Sequence, residues 1–109
     1  MRKLNFNNHF TGELTADGNQ QNTRRQVYGA CYSFVKPTPV SEPSLVSFSK
    51  EVAKLFDLSE SDCQSDEFLQ AMAGNQLLEG MEPYAMCYGG HQFGNWAGQL
   101  GDGLSLIHI

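Results

Sequence analysis

Tyr88–Gly103 reads YGGHQFGNWAGQLGDG: six glycines in sixteen residues, one formal charge at Asp102, and Phe93 and Trp96 in the middle. Glycine permits positive φ, lets backbones approach closely, and leaves backbone N–H groups open to an anion. Gly98, Gly101 and Gly103 stand as G-x-x-G-x-G. The dinucleotide fingerprint has the order G-x-G-x-x-G and opens a helix. A Walker A loop follows its last glycine with Lys and Ser or Thr. Neither pattern fits. The spacing leaves two readings: a tight turn packed around Trp96, or a glycine-rich hairpin lying over nucleotide phosphates, as in kinase-like folds.

Upstream, YAMCY (84–88) is short and apolar enough for a buried strand. Before it, Asp66 and Glu67 favour a helix start after Ser65, Phe68, Leu69 and Met72 give an apolar stripe, and Gly74 closes the helix. Leu45, Phe48, Val52, Leu55 and Phe56 recur at spacings of three and four. With Pro43 suited to a first turn, they predict a helix over 44–58. KPTPV (36–40) reads as an extended linker, because two prolines forbid a central strand. RQVYGACYSFV (25–35) is extended, weakened as a strand by Gly29 and Ala30. Residues 1–24 are polar, and TADGNQQN (15–22), with few apolar anchors, reads as a loop.

The 109 residues are enough for one small domain, with 40% hydrophobic, 11% aromatic and 17% charged residues. A net charge of −5, with basic runs only at Arg2–Lys3 and Arg24–Arg25, argues against a nucleic-acid module. No window approaches the ~18 apolar residues of a membrane span, and the start lacks the apolar run of a secretory signal. Cys31, Cys63 and Cys87 are odd in number and contain no CxxC pair. That argues against a disulfide framework or structural zinc, and for reduced thiols in a cytoplasmic protein.

The stretch YGGHQFGNWAGQLGDG resembles the signature of the selenoprotein O family, also called the YdiU family. NFNNHF and RRQVYGACYSFVKPTPV are similar to its opening segment, so the likeness covers residues 1–103. It implies an α+β chain forming the N-terminal part of a protein-kinase-like fold, an incomplete N-lobe in one incomplete domain. It implies a protein adenylyltransferase that binds ATP in an inverted orientation and transfers AMP to Ser, Thr or Tyr hydroxyls of proteins, releasing pyrophosphate. Some members use UTP with manganese. The family motif continues Gly-Asp-Gly-Arg, and its glycines, which contact the nucleotide, map onto Gly101 and Gly103. The residues that hold magnesium or manganese lie further along the family's chain, so the likeness assigns no catalytic residue and no metal ligand here.

This chain has Leu104 where the family has Arg. Leu104–Ile109, LSLIHI, is what a common sequencing adapter gives when translated, and is expected to be a non-native tail. The expected reading is a fragment of the enzyme, inactive alone. The alternative is a non-catalytic nucleotide-binding pseudokinase or interaction module. Neither nucleic acid nor membrane is an expected partner.

Single residues have plainer readings beside these. His91 has no second ligand at metal spacing and reads as structural and hydrogen-bonded. Asp102, between two glycines, reads as bonding its own backbone rather than as a general base. Phe93 and Trp96 read as packing residues that anchor the loop, with base stacking as the other role for Trp96. Cys87 has no adjoining cation and reads as core.

Overall fold

The computed structural model describes residues 1–100. The elements in chain order are α1 (His9–Glu13), β1 (Tyr32–Phe34), α2 (Lys50–Leu55), α3 (Glu60–Cys63), α4 (Asp66–Met72), β2 (Tyr84–Met86), β3 (Tyr88–Gln92) and β4 (Asn95–Leu100). They divide into two compact units. One holds Met1–Asn7 and Pro37–Met81, the other Asn8–Lys36 and the chain from Glu82 onward. One boundary falls at Lys36–Pro37, inside the proline-interrupted KPTPV segment.

The helical unit is a run of short, serine-capped helices. Ser49, Ser59 and Ser65 each accept a hydrogen bond from the amide three residues on, at Val52, Asp62 and Phe68. At α3 the cap is reciprocal: the Asp62 carboxylate accepts from the Ser59 amide at 2.9 Å. The core is Ala53, Leu58 and Cys63, with Met1, Leu4, Phe48 and Phe68 packed against it. Asn75 fastens the linker by accepting from the Val40 amide at 2.7 Å and donating to its carbonyl at 2.9 Å.

The helix expected over 44–58 is corrected to Lys50–Leu55. Ser49 sets its start, because its hydroxyl satisfies the Val52 amide only if the chain turns helical after it. The periodic residues do not mark a buried face either. Leu45, Val52, Leu55 and Phe56 are exposed, Phe48 alone of the five packs against the core, and small Ala53 is buried instead. The helix after Ser65 forms as expected, and Gly74 follows it at φ +77°. At that position even a Cβ would come within 2.8 Å of the Pro37 side chain.

The other unit is built from two two-stranded antiparallel sheets, β1–β2 and β3–β4. The strand expected over 84–88 ends at Met86; Cys87 separates it from β3. Tyr32, 1% exposed, is the centre of an aromatic cluster. Its ring lies 5.5 Å from Phe10, 5.2 Å from Phe34 and 5.4 Å from Tyr84, while Phe10 stacks on Tyr84 at 4.8 Å. The Tyr32 hydroxyl donates to the Thr11 carbonyl at 2.7 Å. That contact and the stacking of Phe10 hold α1, which the polar sequence of 1–24 did not announce. The loop after α1 is organised by Arg25, whose guanidinium pairs with Asp17 and donates to the carbonyls of Asn19 and Gln21, each at 2.7 Å. The Arg25 hydrogen bond is the main reason the Asp17 carboxyl titrates below the usual carboxylate range.

Candidate functional site: the glycine hairpin

The glycine-rich stretch folds as the β3–β4 hairpin, turned by Phe93 and Gly94 between the paired residues Gln92 and Asn95. Both turn residues have positive φ, +51° and +79°. That is the geometry of a type I′ turn, whose backbone twist suits a two-residue hairpin. Glycine meets it freely; Phe93 does not, and holds a left-handed conformation that strains a bulky side chain. Pairing then runs Gly90↔Gly98 but His91↔Trp96, so β4 carries one extra residue at this point.

Gly89 shows what the close approach is for. A Cβ there would lie 2.7 Å from Cη2 of Trp96, so only glycine lets the indole cross the strand. His91 meets the same indole edge-on, with ring centroids 5.1 Å apart. Ala30, Cys87, Gly89, Trp96, Gly98 and Gln99 line an open hollow of about 390 Å³. Burial, the largest influence, pushes the Cys87 thiol above its ordinary pKa; Asp17 and Cys31 add to the rise, and Arg25 opposes it.

Gln99 secures the hairpin to the segment before β1. Its amide oxygen accepts from the Val27 amide at 2.8 Å and from Gln26 Nε2 at 2.9 Å, while its Nε2 donates to the Val27 carbonyl at 2.7 Å. The side-chain amide thus pairs with Val27 as a neighbouring strand would. Nothing in the spacing of Gln99 signals this clamp, because its partners stand at the other end of the chain.

The structure moves two of the residues singled out in the sequence. Phe93 is not a packing anchor: it is fully exposed at the hairpin tip. Trp96 does pack, but on Gly89 and His91 at the surface, and stays 63% exposed. The turn at Phe93–Gly94 aims residue 93 away from the strands, so its apolar character does not bury it. Cys87 is half-buried rather than core. The nucleotide-contacting glycines expected at Gly101 and Gly103 lie outside the described residues, as does Asp102; β4 leads directly to them, ending at Leu100. Among the described residues, no group of three or more His, Cys, Asp or Glu side chains is arranged to hold a metal ion. No helix there is long and apolar enough to cross a membrane.

The family described as "Protein adenylyltransferase SelO" matches this chain over residues 18–108. The chain belongs to the SelO family. It is 58% identical to the protein nucleotidyltransferase YdiU of Aromatoleum aromaticum, over 97% of this chain and 20% of that protein. It is 59% identical to the protein of the same name in Azoarcus sp., with the same coverage. The corresponding Methylobacillus flagellatus protein is 54% identical over 94% of this chain and 20% of its own length. The chain therefore spans about a fifth of the length of the curated SelO-family relatives it matches.

Proposed function

We propose that this chain supplies the glycine hairpin of a protein nucleotidyltransferase that moves AMP from ATP onto Ser, Thr or Tyr hydroxyls of protein substrates, with UMP from UTP as the variant reaction. The observation that supports the reading is the β3–β4 hairpin, within a SelO-family match, whose second strand ends at Leu100, the residue before Gly101-Asp102-Gly103 in the sequence. Glycines there leave backbone N–H groups free to meet phosphate oxygens. In the complete protein this hairpin is proposed to belong to the N-lobe of a kinase-like fold, working in the cytoplasm.

In the transfer, a substrate hydroxyl oxygen attacks the α-phosphorus, the bond to the bridging oxygen breaks, and pyrophosphate leaves. Nucleotidyl transfer depends on positioning and on cations that neutralise the developing charge. Magnesium or manganese would supply that neutralisation. Its ligands are proposed to lie in the part of the full protein that this chain does not span, and no step is routed through a metal here. The role left to this chain is to hold and orient the nucleotide.

The test compares ATP labelled at the α-phosphate with ATP labelled at the γ-phosphate, on both the full-length protein and the 109-residue chain. The reading predicts protein labelling from the α-position only, by the full-length protein only. Transfer of the γ-label would make it a kinase. Transfer by the 109-residue chain would show that this segment holds chemistry not assigned to it.

A further inference from the structure

Cys31 and Cys87 are remote in sequence but meet across the first sheet. The β1–β2 register runs Tyr32↔Met86, Ser33↔Ala85 and Phe34↔Tyr84. One step outward puts Cys31 opposite Cys87, and the Cys87 amide donates to the Cys31 carbonyl at 2.8 Å. Residues directly opposite in an antiparallel pair project to the same face, with Cβ atoms about 4.5–5.5 Å apart. Opposed residues that exchange both hydrogen bonds have Cα atoms about 5.5 Å apart, in the range that disulfides bridge; here one bond of that exchange is made, and the Cys31 amide donates to the Thr15 carbonyl at 2.8 Å instead. Closing the Cβ gap needs a movement of about 1 Å at the end of a two-stranded pairing. Cys31 is exposed, Cys87 is half-buried, and both thiols are free. The influence of Cys31 on the Cys87 thiol is a second sign of their proximity. Cys63, 1% exposed, belongs to the core of the helical unit.

We propose that Cys31 and Cys87 form a reversible redox pair, closed to an intramolecular disulfide by a low-molecular-weight disulfide of the glutathione type. The exposed Cys31, as thiolate, attacks the small disulfide and releases one of its halves as a thiol. Cys87 then gives its proton to solvent and attacks the Cys31 sulfur of the mixed disulfide, releasing the second half. Two protein thiols are oxidised and one small disulfide is reduced to two thiols, so electrons balance. Cys87 adjoins β3 and shares the hollow with Trp96, so the bridge ties the root of the glycine hairpin to the start of β1.

The experiment is equilibration of the 109-residue chain in buffers of oxidised and reduced glutathione, with thiol counting, peptide mapping and Trp96 fluorescence. The proposal predicts loss of two of the three thiols and a reducible peptide pair joining Cys31 to Cys87. Cys63→Ser should leave both results intact, and Trp96 emission should change on oxidation. The equilibrium constant for closure should be at least about tenfold larger in the folded chain than in denaturant, because the fold holds the pair together. A stable glutathione adduct on Cys31, a link to Cys63, or equal closure with and without denaturant would each overturn it.

Discussion

Gly89 and Phe93 make opposite demands on the backbone of one hairpin. Gly89 is required by volume, since a methyl group would meet the Trp96 ring at 2.7 Å. Gly89→Ala should push the indole outward and change its fluorescence. It should weaken the hairpin by about 1–2 kcal/mol, less than full removal of a buried Trp because the ring is already largely exposed. Unchanged emission would show that the indole does not rest on residue 89. Phe93 is required by nothing in the fold: it is exposed and strained at φ +51°. Phe93→Asn creates the Asn-Gly pair that favours a type I′ turn, and should stabilise the hairpin by up to about 1 kcal/mol. Thermal unfolding of the two chains measures it, and a lower melting temperature for the variant would contradict the turn geometry.

At the scale of elements, the serine caps give the helical unit an acid sensitivity. The Asp62 carboxyl is held down at about 2, first by the Ser59 hydroxyl, then by the Ser59 and Arg2 amides. Its ordinary value is 3.8, so the unfolded chain takes up the proton first as pH falls. The contribution of Asp62 is therefore complete above about pH 4 and lost between about pH 4 and pH 2. Asp62→Asn should flatten that part of the acid unfolding curve, followed by helical circular dichroism. Superimposable curves for the two chains would show that the capping box does not produce the acid response.

These caps also mark what was legible. Ser65-Asp66-Glu67 with Gly74 beyond is a complete local instruction, and the helix between them forms as read. The helix within 44–58 begins only at Lys50, because the Ser49 cap acts locally whereas an apolar stripe matters only if something covers it. The hairpin's glycines were legible as a conformational demand. The positions of Phe93 and Trp96 were not, since turn type and bulge decide which way each side chain points. The Gln99 clamp and the Cys31–Cys87 pairing depend on contacts distant in sequence, and local composition carries no trace of either.

For the whole molecule, the hairpin's packing glycines and the two glycines assigned to the nucleotide should separate experimentally. Gly89 belongs to stability, through Trp96; Gly103 is proposed to belong to binding, because a side chain there would block the approach of a phosphate to the backbone. The decisive measurement is ATP affinity of the full-length protein carrying Gly103→Val, with its melting temperature, beside the same pair of values for Gly89→Ala. The account predicts at least about a tenfold loss of affinity, roughly 1.4 kcal/mol, for Gly103→Val with little change in melting temperature, and the reverse for Gly89→Ala. A Gly103→Val protein that melts early yet binds ATP as tightly as before would contradict it, and would make the hairpin architecture rather than a nucleotide site.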